Sequence, residues 1–116
     1  MITIYHNPRC SKSREGVMLL EKSGKDFKTV LYLENPLNFE ELEALAKKLD
    51  INPLSLVRQK ENIWIEQYKG KELSDAAIIQ AMVEHPKLIE RPIVINGNKA
   101  VIGRPTEKIQ EIIRIS

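Results

Sequence analysis

Ile2-Thr3-Ile4-Tyr5-His6-Asn7-Pro8-Arg9-Cys10-Ser11-Lys12-Ser13-Arg14 is the stretch that decides the fold. Residues 2 to 5 alternate as a strand does, His6-Asn7-Pro8-Arg9 breaks the alternation, with Asn7-Pro8 read as a turn, and a helical pattern starts around Ser11. Val17, Leu20 and Met18 supply that helix with an apolar stripe, and Ser23-Gly24 is a suitable stop. Phe27 to Leu33, carrying Val30, Leu31 and Tyr32, reads as a second, buried strand closed by Glu34-Asn35-Pro36. Strand, helix and strand at this spacing make a βαβ unit.

Beyond it the pattern turns helical. Asn38 followed by Glu41 forms a capping-box signature, and Phe39, Leu42, Leu45, Ala46 and Leu49 recur at helical spacing as far as Asp50. Residues 51 to 70 are less regular: Asn52-Pro53 starts a short helix, and Trp64 and Tyr68 are bulky anchors. Ser74 and Asp75 cap a further helix with Ile78, Ile79, Met82 and Val83 toward the core, closed by His85-Pro86. Ile93-Val94-Ile95, an Asn96-Gly97 turn and Lys99-Ala100-Val101-Ile102 predict a hairpin. Gly103-Arg104-Pro105 then opens a last helix with Ile109, Ile112 and Ile113 on one side. The order implies an α/β fold, a mixed four-stranded sheet with flanking helices and a helical insertion at about 37–87, in one domain of residues 1–116.

The chain has 116 residues, 42% of them hydrophobic, enough for one real core. Eighteen Lys and Arg against 16 Asp and Glu give a net charge of only +2, with the signs interspersed. That balance excludes the clustered basic field of a nucleic-acid binder. The opening segment is too short and polar for a signal peptide, and no apolar run approaches a membrane span of about 20 residues. A cytoplasmic protein without membrane or nucleic-acid partners is expected. With one cysteine, no internal disulfide is possible.

Cys10 falls where the first strand passes into the first helix, so its sulfur meets the unpaired N–H groups and positive end of that helix. His6, Arg9, Lys12 and Arg14 all lie within four positions, and such a setting favours the thiolate. A buried structural cysteine is the bland alternative, and the polar residues on both sides of Cys10 oppose it. A cysteine phosphatase would need Cys-x5-Arg, whereas Arg14 gives Cys-x3-Arg. A cysteine hydrolase would need a paired His base, and neither His6 nor His85 shows one. A dithiol oxidoreductase would need Cys-x-x-Cys, and position 13 is serine.

The segment Ile4 to Arg14 resembles the active-site loop of glutaredoxin-linked arsenate reductases. Tyr32-Leu33-Glu34-Asn35-Pro36, Leu56-Val57-Arg58, Leu88-Ile89-Glu90-Arg91-Pro92-Ile93-Val94 and Gly103-Arg104-Pro105 resemble the family's other signature segments, in order, over nearly the whole chain. The resemblance implies a thioredoxin-like fold in which Cys10 attacks arsenate and Arg58, Arg91 and Arg104 bind the oxyanion. It also implies that His6 and Ser13 help stabilise the thiolate, alongside the cationic Arg14, and that a cis-proline at Arg91-Pro92 lies beside the thiol. The expected partners are arsenate, glutathione as co-substrate and glutaredoxin transiently, with no bound cofactor or metal. Guanidinium forks suit a tetrahedral dianion. Any one arginine alone reads as an ordinary exposed residue; three matching positions together do not. A glutathione-binding thiol transferase acting on another substrate is the nearest alternative. A redox-sensing RNA polymerase regulator would need a second cysteine where Ser13 stands.

Overall fold

The structure, a computed structural model, describes residues 1–114. The described residues divide into two compact units, residues 1–35 with 91–114 and residues 36–90. The first unit holds strand β1 (Ile2–Tyr5), helix α1 (Ser11–Ser23), strands β2 (Phe27–Val30), β3 (Ile93–Asn96) and β4 (Lys99–Ile102), and helix α5 (Ile109–Ile113), which a turn of 3-10 helix at Thr106–Lys108 precedes. The sheet order is β2-β1-β3-β4. β1 runs parallel to β2 and antiparallel to β3, and β3 is antiparallel to β4. The expected mixed four-stranded α/β architecture is present. Alternation along β1 buries Ile2 and Ile4, which join Leu20 of α1, Val94 of β3 and Ile109 and Ile112 of α5 in one cluster. Each such side chain contributes roughly 1.5–3 kcal/mol by leaving water.

One rung of this sheet organises everything that follows. Tyr5 pairs with Val30 on one side and Ile93 on the other, and Ile93 pairs with Ile102. The loops after β1, after β2 and after β4 and the segment before β3 therefore leave the sheet at the same end.

Several local expectations shift. The second strand stops at Val30, with Lys28 and Thr29 exposed and no residue fully buried, because it is an edge strand that only β1 flanks. Tyr32 is fully buried, but in the turn beyond the strand. Met18 is half exposed and leaves the helical stripe to Val17 and Leu20. In the hairpin Asn96 pairs with Lys99, so the two loop residues are Gly97 and Asn98 rather than Asn96 and Gly97. Gly97 alone takes positive φ, at 63°, the pattern of a type II′ turn with glycine first. Pro105 does not begin the last α-helix; it precedes the 3-10 turn, and its peptide bond with Arg104 is cis.

In the second unit α2 (Phe39–Leu49) carries the full capping box: Asn38 Oδ1 accepts from the Glu41 N–H at 2.8 Å, and Glu41 Oε1 accepts from the Asn38 N–H at 3.0 Å. Such a cap adds about 1 kcal/mol. Asp50 ends the helix in the left-handed region at φ 56°. The irregular stretch resolves into a 3-10 turn at Pro53–Leu56 and the short α3 (Asn62–Gln67), whose Trp64 stacks on Tyr68 with ring centroids 5.2 Å apart. Ser74 caps α4 (Asp75–Glu84) through the Ala77 N–H, and Ile78, Ile79 and Met82 are buried while Val83 is half-buried.

Candidate active site

Cys10 is the N-cap of α1, with extended backbone at φ −94° and ψ 121°. Its N–H donates to the Asn7 carbonyl at 3.0 Å, and its own carbonyl accepts the first helical bond from Arg14 at 3.0 Å. The sulfur makes no capping bond of the kind a serine oxygen would, yet the N–H groups of Ser13 and Lys12 favour its anion. Burial by itself pushes the thiol pKa up. The Ser13 N–H, the Arg91 side chain, the Lys12 N–H and the charge of Arg104 together outweigh it, and the pKa falls below the ordinary 9.0. Cys10 is partly exposed, as a nucleophile must be.

The common end of the sheet brings Arg91 and Arg104 to this sulfur. Arg91 is nearly buried and stands just before β3, joined to Pro92 by a cis peptide bond. Arg104 follows β4. Its Nη2 donates to Cys10 Sγ at 3.4 Å while its Nε donates to the Arg91 carbonyl at 2.8 Å. A neutral carbonyl thus fixes the guanidinium without cancelling its charge. The Gly103 N–H donates to the Pro92 carbonyl at 2.8 Å, holding the two arginine-bearing segments together. A Cβ on Gly103 would lie 2.9 Å from Ile109 Cδ1 and 3.0 Å from Pro92 Cγ, so a larger residue would force these side chains to shift.

His6, Ser13 and Arg14 shape the loop. Ser13, fully buried, accepts the Asn7 N–H on Oγ at 2.9 Å and meets His6 Nδ1 at 2.6 Å. Its side chain therefore supports the loop, and its backbone N–H serves the thiolate. Burial, with a smaller contribution from the Arg14 charge, lowers the His6 pKa and favours the neutral ring. Arg14 Nη1 donates to the Pro8 carbonyl at 2.9 Å. The Arg9 N–H donates to Asn7 Oδ1 at 3.0 Å, closing an Asx turn that nothing in the spacing announces except the Asn-Pro pair.

Arg58 belongs to the helical unit. Its backbone N–H donates to the Leu88 carbonyl at 2.7 Å, next to the Val57–Ile89 bridge, and its Nε lies 3.3 Å from Glu61 Oε2. Among the described residues no cluster of His, Cys, Asp and Glu could hold a metal ion, and no helix is long and apolar enough to cross a membrane. The anchoring of Arg104 on the Arg91 carbonyl and the second cis-proline are features that the sequence pattern does not display.

A thioredoxin-like sheet with one activated cysteine at the first helix N-terminus and guanidinium groups facing its sulfur defines a thiol-based enzyme class that handles oxyanions. Within it the chain belongs to the ArsC family, whose model matches residues 5–112. It is 46% identical over 114 residues to an arsenate reductase of Haemophilus influenzae, covering 97% of this chain and 98% of the relative. It is 50% identical to the Escherichia coli K12 protein YfgD over 97% of this chain and 96% of the relative. The solved structure of an arsenate reductase from Vibrio cholerae superposes with a TM-score of 0.92 at 47% identity, covering 96% of both chains.

Proposed function

We propose that the protein reduces arsenate to arsenite, with Cys10 as the nucleophile and glutathione and glutaredoxin as the source of electrons. The observation that carries this reading is the Cys10 sulfur held at 3.4 Å from Arg104 Nη2, with a lowered pKa to which Arg91 contributes. The thiolate attacks arsenic and a hydroxyl leaves as water, giving a Cys10–arsenate thioester analogue. Arg91 and Arg104, with Arg58 as the third guanidinium, bind the charged oxygens. Reduction of As(V) to As(III) needs two electrons, which two thiols supply as they form a disulfide. Cys10 is the chain's single thiol, so the others come from outside. A glutathione thiol joins the arsenic and expels a second water. A glutaredoxin thiolate then takes the glutathione sulfur as a mixed disulfide, the bonding pair stays on arsenic, and water releases arsenite from Cys10. A lone reactive thiol suits the reducing cytoplasm in which we place the cycle.

Arsenate-dependent turnover with glutathione plus glutaredoxin, compared with thioredoxin, tests the reading. Turnover is expected with the first pair, with a glutathione adduct on the intact protein that vanishes in Cys10→Ser. Arsenite formation beyond one equivalent with no added thiol contradicts the mechanism. Glutathione-dependent reduction of other disulfides without any arsenate turnover would instead identify a thiol transferase.

A further inference from the structure

The end of the sheet that carries Cys10 has two sides. The β3 and β4 side presents Arg91 and Arg104 to the sulfur. On the β2 side, a cavity of about 430 Å³ lies between the loop after β1 and the loop after β2, lined among others by Pro8, Arg9, Leu31, Leu33 and Glu34. It lies outside the carboxyl ends of two parallel strands, and its volume falls within the roughly 300–1,000 Å³ of small-molecule sites. Arg9, the residue before Cys10, and Glu34 are both exposed. Among the described residues neither the Arg9 guanidinium nor the Glu34 carboxylate has a hydrogen-bond or ion-pair partner; only their backbone N–H groups are engaged. Nor is Arg9 among the groups that lower the thiol pKa.

We infer that this cavity binds the α-amino-acid end of the small peptide thiol that serves as co-substrate, with Arg9 taking its carboxylate and Glu34 its ammonium group. The inference rests on the proposed thiol-dependent cycle. An anion alone would meet the Glu34 carboxylate, and a cation alone the Arg9 guanidinium. A zwitterionic head satisfies both, and Pro8, Leu31 and Leu33 offer apolar wall to the methylenes beyond it. The cavity wall and the nucleophile are neighbouring residues, with Cα atoms about 3.8 Å apart. A thiol carried on a few further bonds therefore starts beside Cys10 and leaves the arginine side to the oxyanion.

Titration of the 15N-labelled protein with S-methylglutathione, whose sulfur cannot react, tests the site without arsenate. Amide shifts should concentrate in residues 6–9 and 31–34, and the Kd should rise about tenfold in both Arg9→Ala and Glu34→Gln, the loss of one charge-assisted contact. In turnover, the ratio of kcat/KM for glutathione to that for 2-mercaptoethanol, which has no amino-acid head, should fall about tenfold in the same variants. A purely structural lesion would lower both thiols alike. Shifts confined to other residues, or a Kd that neither substitution changes, would overturn the site while leaving glutathione-dependent arsenate reduction standing. Absence of turnover with every thiol would overturn the proposed function, and the titration would still decide the cavity.

Discussion

Arg104 and Arg58 occupy matching places in the family resemblance, and the fold supports them in different ways. Arg104 hangs from a backbone carbonyl at 2.8 Å and points at the sulfur. Arg58 lies in the helical unit, 3.3 Å from the Glu61 carboxylate. A neutral anchor leaves the full charge of a guanidinium free for an incoming anion. A carboxylate anchor offsets that charge and can be exchanged for a better anion. Arg104 therefore acts on the free thiolate, whereas Arg58 is not among the groups that favour it.

The largest effect belongs to the thiol itself. Cys10→Ser should abolish arsenate turnover entirely, measured as arsenite formed per protein with excess glutathione and glutaredoxin. Residual turnover near the native rate would remove Cys10 from the centre of the reaction.

Arg104→Ala and Arg91→Ala should each cut kcat/KM for arsenate about a hundredfold or more, the usual loss for one preorganised donor at a developing charge. Arg58→Ala should also lower it. Only the first two should raise the thiol pKa, since Arg58 is not among the groups that favour the Cys10 thiolate. Lysine at position 104 should restore part of the rate, because an ammonium cannot both hold the Arg91 carbonyl and fork onto the sulfur. Equal pKa changes in all three alanine variants would erase the distinction between the anchors.

The Gly103 approach is more subtle. Gly103→Ala places a methyl group against Ile109 and Pro92, at an expected cost of about 1–3 kcal/mol in urea unfolding. Because the same backbone aims Arg104, it should also move the thiol pKa upward. An unchanged pKa with lowered stability would make Gly103 a packing residue only.

The smallest effect is the pH dependence of stability through His6. Its pKa in the fold lies below the ordinary 6.5, so between the two values the unfolded chain holds more protons and stability rises with pH. Urea midpoints should therefore decline as pH drops below 6.5, and less so in His6→Gln.

What the sequence displays about this molecule is mostly what is local. The Asn38–Glu41 box, the Ser74 cap and the placement of Cys10 at a helix start depend on residues within three or four positions of one another. The end of β2 and the hairpin offset were less legible, because an edge position and a strand register are set by the neighbouring strands. The site follows the same rule. Cys10 and its N–H donors are adjacent in sequence, but the hold of Arg104 on the Arg91 carbonyl joins residues 13 apart through the β3–β4 hairpin. Periodicity carries no sign of such a contact. Ser13 shows the limit most clearly: the resemblance implies that it helps stabilise the thiolate, yet the buried loop draws its hydroxyl to His6 and Asn7 and leaves its N–H to favour the thiolate.

The most direct test of an activated Cys10 is a spectrophotometric titration of its thiolate near 240 nm, with Cys10→Ser as the blank. A midpoint below the ordinary 9.0 is expected in the native protein and a higher midpoint in Arg104→Ala. A native midpoint at the ordinary value, or one that Arg104→Ala leaves in place, would contradict it.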